Sequence, residues 1–326
     1  MLRETLALLC GALLLSLPAR SFAQPLNSRT TTANSYIERG NAWAAKGEWE
    51  RAVADYDLAI VSDPNLAGAY YNRAIARWRL KDYEGARADF THALSLNPRD
   101  SEAYADRSGV RFLLGDPDGA ISDCNRAIVL NPRLALAWGN RGLARDFKGD
   151  HAGAIADLNR AIELDSHCAD FYSNRGAARL LMDDADGAIG DQNLALKLKP
   201  DFAEAYIVRA AARLFKGDND GALADHNQAI SLNPRFAISW FNRGMIWKGK
   251  GDLRRAEADF TQAIELAPHL AEAYTQRGLV RLLQGREQDA QRDFDRCLAL
   301  DKRLKQSLER RIAEAKRQLA ERSPIQ

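Results

Sequence analysis

The chain has 326 residues, of which 46% are hydrophobic and 28% are charged, and its formal net charge is only +2. That length allows two or three ordinary domains or one continuous array of repeats. So small a net charge excludes the large field of one sign that collects DNA or RNA, and no nucleic-acid partner is expected.

The first 23 residues have the pattern of a secretory signal peptide. A weakly positive start precedes an apolar stretch from Leu6 to Ala19, and Ser21 and Ala23 place small residues at the positions that a signal peptidase reads. An uncleaved anchor is the alternative, but 14 apolar residues fall short of the roughly 20 that a spanning helix needs. We therefore expect cleavage after Ala23, no stable membrane insertion afterwards, and an exported chain, periplasmic or else fully secreted. Residues 24–32 are expected to form a flexible lead-in.

From Ala33 to Leu304 the sequence repeats itself every 34 residues, without insertion or deletion. With positions numbered 1 to 34 in each copy, position 4 is always aromatic, position 8 is always Gly, Ala or Ser, and position 20 is always Ala. Position 28 is always Ile or Leu, and position 32 is Pro in six copies. The eight copies are residues 33–66, 67–100, 101–134, 135–168, 169–202, 203–236, 237–270 and 271–304.

The spacing of these residues predicts two helices in each repeat. Positions 4, 8 and 11 share one helix face, and positions 20, 24, 27 and 28 share another. Between them lies a turn such as Gly149-Asp150, in which Gly ends the first helix and Asp caps the second. One such pair of helices buries too little surface alone, so consecutive copies must stack.

The aromatic residue, the Gly, the Gly-Asp turn, the Ala positions and the Pro at these offsets resemble a tetratricopeptide repeat array, here with first helices of the Asn-Arg-Gly type such as residues 140–142. The resemblance implies an all-α fold, a right-handed superhelical solenoid of antiparallel helix pairs whose first helices line a concave groove. It also implies binding of a peptide or a partner protein. Apolar residues at helical spacing after the last copy predict a capping helix over residues 305–322, followed by a short tail at 323–326.

Position 7 departs from the family pattern, because it is Arg in all eight copies where a large apolar residue is usual. A buried guanidinium needs a partner, and position 23 is Asp in every copy. In an antiparallel hairpin the two positions lie at similar heights, so the sequence predicts a structural ladder of ion pairs, formed inside each repeat or across to the next. An anion-binding role for the arginines is the alternative. The predicted ladder includes Arg73 with Asp89, Arg107 with Asp123, Arg141 with Asp157, and Arg175 with Asp191.

A row of amide and apolar side chains is predicted to face the groove. Asparagine offers both a donor and an acceptor to the backbone of an extended peptide, and aromatic residues add apolar contact. The alternatives are that the asparagines are merely solvated and that the apolar residues pack between repeats. The predicted peptide-binding residues are Asn72, Asn140, Asn174, Asn242, Tyr71, Trp78, Phe112, Phe147, Phe215 and Phe241.

Sequence motifs for catalysis are lacking: there is no phosphate-binding loop, no nucleophile elbow and no zinc-protease motif. The histidines show no metal-ligand spacing, and no cofactor or metal is predicted. We therefore expect a scaffold that is not an enzyme and that binds an extended polypeptide or partner protein along its groove, as an assembly factor or holdase would. The alternative is a structural adaptor that joins a multiprotein complex through its convex face or its ends.

Overall fold

The computed structural model describes residues 31–322, so the predicted signal peptide and the tail at 323–326 lie outside the described residues. Helix α1 begins at Thr31, two residues before the first repeat as the sequence divides it. The helices are α1 Thr31–Ala45, α2 Trp49–Ser62, α3 Ala67–Arg79, α4 Tyr83–Leu96, α5 Ser101–Leu113, α6 Pro117–Leu130, α7 Ala135–Phe147, α8 His151–Leu164, α9 Ala169–Leu181, α10 Ala185–Leu198, α11 Ala203–Phe215, α12 Asn219–Leu232, α13 Ala237–Gly249, α14 Leu253–Leu266, α15 Ala271–Leu283, α16 Glu287–Leu300 and α17 Lys305–Arg322.

These helices form two compact units, one ending at Asp184 and the other beginning at Ala185. The division falls in the turn of the fifth repeat, between α9 and α10. In each unit consecutive helices pack in pairs, and a short 3-10 turn, Lys302–Leu304, leads into α17 in the second unit. The all-α class and the paired helices of the expected solenoid are therefore confirmed. Between residues 31 and 322, no helix combines the length and the apolar character needed to cross a membrane.

The turn between the two helices of a repeat uses one backbone conformation throughout. Position 15 has a positive φ, for example 87° at Gly149, where glycine is free of the steric cost that other residues meet. Two repeats place other residues there, Lys81 and Asp183, each with a φ of 63°. The next residue is Asp in six repeats, and Asp150 caps its helix by accepting a hydrogen bond of 2.9 Å from the backbone N–H of Gly153. Glu48 and Arg286 stand there in the first and last repeats and give no side-chain cap.

Small residues at position 8 exist because position 24 packs directly against them. A Cβ atom on Gly278 would lie 2.5 Å from the ring of Phe294, and one on Gly244 would lie 2.9 Å from the ring of Phe260. Both phenylalanine rings are buried. The aromatic residue of the second helix thus fills the space that the first helix leaves open, and this contact sets the distance between the paired helices.

Candidate functional site

Arginine at position 7 of the first helix grips aspartate at position 23 of the second helix with two hydrogen bonds. In the fourth repeat, Arg141 Nε lies 2.8 Å from Asp157 Oδ2 and Arg141 Nη2 lies 2.7 Å from Oδ1. The Asp157 side chain is only 4% exposed and that of Arg141 only 13%. This two-point geometry suits the planar guanidinium and fixes its orientation. The same fork joins Arg73 to Asp89, Arg107 to Asp123, Arg209 to Asp225, Arg243 to Asp259 and Arg277 to Asp293.

Arginine at position 11 binds the same aspartate from one turn further along the first helix. Arg145 Nη1 lies 2.8 Å from Asp157 Oδ2, so that carboxylate accepts three hydrogen bonds from two guanidinium groups. In the first repeat, where position 11 is a tryptophan, the hydrogen bonds from Arg39 lower the pKa of Asp55 below its usual value. A carboxylate held in this way is a fixed acceptor within the scaffold.

The third guanidinium nitrogen reaches the preceding repeat, a contact that the sequence analysis missed. Arg141 Nη1 donates to Asn125 Oδ1 at 2.7 Å, and Arg107 Nη1 donates to Thr91 Oγ1 at 3.1 Å. Both acceptors occupy position 25, two residues after the aspartate. Position 25 is Asp, Thr or Asn in every copy. This recurring polar residue is the signal that could have predicted the contact. Each such arginine therefore ties together the second helices of two consecutive repeats.

The guanidinium also lies over the aromatic residue at position 4 of its own helix. The Arg141 Cζ atom is 4.7 Å from the centre of the Trp138 ring, a distance at which the cation and the ring attract each other. Of the two remaining ladder residues, Arg175 donates to Asn159 Oδ1 at 2.8 Å in the first unit, and Asp191 is buried in the second unit.

Three of the four asparagines predicted to face the groove are instead buried: Asn72, Asn140 and Asn174. Asn140 Nδ2 donates to the backbone oxygen of Ala105 at 2.9 Å and to Ser108 Oγ at 3.1 Å, both on the preceding first helix. Ser108 Oγ itself donates to the Ala105 oxygen at 2.6 Å, so the Asn140 amide joins a hydrogen-bonded group on helix α5. Little of each amide faces solvent, which disfavours contact with a peptide. Peptide binding by these asparagines stays a prediction.

Asn72 and Asn174 show the two extremes of this position. Asn72 Nδ2 donates to Asn41 Oδ1 at 3.0 Å, and the same oxygen accepts a bond of 2.8 Å from the Tyr56 hydroxyl. Asn174 has no hydrogen-bond partner for either amide atom among residues 31–322. Asn242, in the second unit, is half-buried. Position 6 thus serves mainly as packing between consecutive first helices.

The predicted aromatic residues divide into buried and exposed members. Tyr71 and Phe241 are buried, and the Tyr71 hydroxyl donates to Asp106. Trp78 and Phe112 are half-buried. Phe147 is 52% exposed, and its ring meets that of Phe112 edge to face, with 5.4 Å between the centres. In the second unit Phe215 is equally exposed.

The C-terminal ends of two first helices in the first unit therefore carry an aromatic pair, the half-buried Phe112 and the exposed Phe147, which we call the aromatic edge. Buried carboxylates lie on the same first helices, and the sequence analysis did not single them out as a group. Asp146 is adjacent in sequence to Phe147 and lies 2.7 Å from Nδ1 of His151. These carboxylates are buried and engaged by other side chains, so what the arrangement offers a ligand is apolar contact.

In the second unit a polar cluster joins the first helices to the capping helix α17. Glu272 accepts hydrogen bonds from Arg311 on α17, at 2.5 Å, and from Gln276, at 2.8 Å. Lys248 Nζ donates to Gln276 Oε1 at 2.8 Å. Burial lowers the pKa of Lys248, and the neighbouring Arg311 cation acts in the same direction, while Glu272 opposes them. Glu272, at position 2 of the last repeat, thus contacts the capping helix directly, and Gln276, at position 6, hydrogen-bonds to Glu272.

Three separate stretches of the sequence match the profile of the tetratricopeptide repeat, at residues 40–111, 135–168 and 237–270. No curated protein matches the sequence. A tetratricopeptide repeat protein from Parabacteroides merdae is 20% identical, with a TM-score of 0.61 over 76% of this chain and 98% of that one.

Two further solved structures have related folds. A chain of the APC/C hetero-tetramer Cut9-Hcn1 is 15% identical, with a TM-score of 0.67 over 88% of this chain and 57% of that one. PilW, a type IV pilus biogenesis factor, is 18% identical, with a TM-score of 0.57 over 63% of this chain and 95% of that one. Identities this low show the fold alone. The three profile matches and the consecutive helix pairs support the assignment of the chain to the tetratricopeptide repeat family.

Proposed function

We propose that the protein is an exported, non-catalytic scaffold that binds an extended polypeptide along the face formed by its first helices. Tetratricopeptide repeats are in general a protein-interaction fold, and this supports the broad class of function. The finer assignment rests on the aromatic edge of the first unit. The aromatic edge would supply the apolar surface that anchors a partner, as an assembly factor or holdase requires.

The observation that carries the proposal is the exposure of Phe147 on a helix that polar contacts hold to its neighbours. Covering a phenylalanine that is 52% exposed removes apolar surface from water and so stabilises the complex with a partner. Its backbone position is fixed, because helix α7 is held by the Arg141 fork to α8 and by the Asn140 bond to α5. A rigid, exposed aromatic residue loses little entropy on binding, which is the property of an interface hot spot.

The test begins with random peptides displayed on phage, which are selected for binding to the full mature chain. Peptides that bind the wild-type protein are then titrated against Phe147→Ser and against Phe112→Ser. Removing an aromatic anchor that a bound partner covers costs about 2 kcal/mol or more of binding free energy, so Kd should rise roughly 30-fold. The expected result is that loss for both variants, with unfolding curves close to those of the wild-type protein.

Val129→Ser is the matched control, because Val129 is an apolar side chain of the same unit that is 72% exposed on the second helix α6. It also tests the second candidate function, an adaptor that joins a complex through its convex face. Val129 and Val61 are both strongly exposed on second helices, and that observation favours the adaptor. Binding that is lost in Val129→Ser and kept in Phe147→Ser would contradict binding along the first helices and support the adaptor.

Export is proposed from the sequence pattern of the first 23 residues alone. The periplasm is the proposed compartment, with full secretion as the alternative. Fractionation of cells that make the full chain, followed by intact-mass measurement, tests both proposals. The expected mature chain begins at Gln24 and is found outside the cytoplasm, whereas a chain of full mass retained in the cytoplasm would contradict export.

A further inference from the structure

The second unit contains a buried histidine whose hydrogen-bonding needs are unmet. His226 lies at position 24 of the sixth repeat, on α12, and its side chain is fully buried. Neither ring nitrogen has a hydrogen-bond partner among residues 31–322. Ser239 Oγ, on the adjacent helix α13, is also buried without a partner. Buried polar groups are nearly always paired, so two orphaned groups on packed neighbours call for a physical account.

Position 24 is apolar or aromatic in six of the other seven repeats, the exception being the buried Gln192 of the fifth repeat. Phe260 and Phe294 occupy it in the next two repeats of the same unit, and both are buried. Repeat 2 combines Ala74 at position 8 with Phe90 at position 24, and repeat 6 has Ala210 at the first of these positions. The fold therefore accommodates a phenylalanine opposite an alanine, and His226 is a polar substitution that packing does not require.

The charged groups around His226 would oppose protonation. Helix α11 carries Glu204, Tyr206, Arg209 and Arg213, α12 itself carries Asp220 and Asp225, and α13 carries Arg243 and Lys248. Of these, Arg243 is the one whose charge acts on His226, and it disfavours a second cation. Burial is the larger cause, and together the two lower the pKa of His226 to about 3.

The carboxylates that could compensate an imidazolium are already occupied. Asp225 accepts hydrogen bonds from Arg209 and Arg213, at distances from 2.6 to 3.3 Å. Asp259 accepts two from Arg243, at 2.8 and 2.7 Å. A protonated His226 would therefore be a buried charge without a partner, which a folded interior tolerates poorly. His151 in the first unit differs, because its ring contacts the Asp146 carboxylate.

We propose that His226 makes the second unit acid-labile: mild acid opens the packing of α12 against α11 and α13, and neutral pH restores it. The neutral ring is tolerated at pH 7 because it carries no charge. In the open state the ring meets water and takes up a proton readily. Acid therefore favours the open state through mass action on that proton. This inference does not depend on the proposed peptide-binding function.

The sign and size follow from the two protonation equilibria. The open state titrates near the ordinary pKa of 6.5, and the closed state titrates near 3. Stability from the neutral ring is complete above pH 6.5 and is lost progressively as the pH falls from there toward 3. Between pH 7.5 and pH 5.0 the opening constant should rise about 30-fold. Most carboxylates stay ionised above pH 5, so they contribute little in this window.

Amide hydrogen exchange of the full mature chain, read by mass spectrometry at pH 7.5 and 5.0, tests the proposal. After correction for intrinsic exchange rates, the opening constant of α12 should rise about 30-fold in the wild-type protein. His226→Phe should reduce that rise to less than about 3-fold, since it removes the titrating ring. His269→Phe is the matched control, because His269 is exposed in the same unit, and it should keep the wild-type response.

His226→Leu is a second variant, chosen because the buried Leu158 occupies the equivalent position of the fourth repeat, and it serves if the phenylalanine variant folds poorly. Proton NMR of the ring adds a direct reading, with His226 expected to stay neutral at pH 5. The proposal is overturned if the wild-type opening constant is the same at both pH values. It is also overturned if the rise persists in both His226 variants, or if His226 titrates near 6.5 in the folded chain.

Discussion

Removing the Asp157 carboxylate should destabilise the first unit substantially. Asp157→Ala leaves two guanidinium groups, of Arg141 and Arg145, without the acceptor that now binds them at 2.7 to 2.8 Å. Breaking a buried pair by deleting one partner costs about 3 to 5 kcal/mol. Because Arg145 is 31% exposed and can turn toward water, the lower end, about 3 kcal/mol, is expected.

Urea unfolding followed by circular dichroism measures this change in the free energy of unfolding. For a unit of about 150 residues, 3 kcal/mol also corresponds to a fall in Tm of roughly 6 to 12 °C. Asp118→Ala is the matched control, since the Asp118 side chain is 77% exposed and pairs with Lys148 at the surface. A surface pair contributes about 0 to 1 kcal/mol, so this control should be nearly silent.

The double variant Asp157→Ala with Arg141→Leu tests whether the ion pair mainly fixes how the two helices pack or adds net stability. Removing both members of a buried pair is often far less harmful than removing one, so the double variant should recover much of the loss. Two outcomes would refute the reasoning. One is an Asp157→Ala protein as stable as the wild type, and the other is a double variant whose loss equals the sum of the two single losses.

Two further substitutions test the backbone and packing arguments by the same unfolding measurement. Lys81→Gly should stabilise the first unit by about 0.5 to 1 kcal/mol, because Lys81 has a φ of 63° that glycine adopts freely, and an unchanged midpoint would contradict this. Gly278→Ala should destabilise the second unit by about 1 to 3 kcal/mol, because its Cβ would lie 2.5 Å from the Phe294 ring. Gly68→Ala, which meets nothing within 4 Å, should be neutral or slightly stabilising, and an equal loss in both variants would reject steric contact as the cause.

Features confined to one repeat could be read from the sequence. The period of 34 predicts the paired helices, and the turn residues predict the caps, because these depend on neighbours close in sequence. The partnership of Arg141 with Asp157 also follows, since an antiparallel hairpin of known turn places both residues at similar heights. In each case the contacting residues belong to one repeat, whose hairpin fixes the distance between them.

Contacts between repeats were harder to anticipate, because the distance between stacked copies is not encoded in any one of them. The third bond of Arg141, to Asn125, and the burial of Asn140 against Ala105 both depend on that distance. The division into two units after Asp184 was not anticipated either, because the period of 34 is unbroken there. Burial of Asn140 follows from the close approach of α5 and α7, which brings its amide onto a carbonyl rather than into solvent.

These contacts bear on where selectivity for a partner can reside. In the first unit, Asn140 joins consecutive first helices and Arg141 joins consecutive second helices, so both layers are hydrogen-bonded from one repeat to the next. Residues that carry such bonds change the stability of the fold when they are substituted. Phe112 and Phe147 make no polar contact of this kind, and both side chains are at least partly exposed to solvent. Substituting them should therefore change which partner binds while leaving the free energy of unfolding close to its original value.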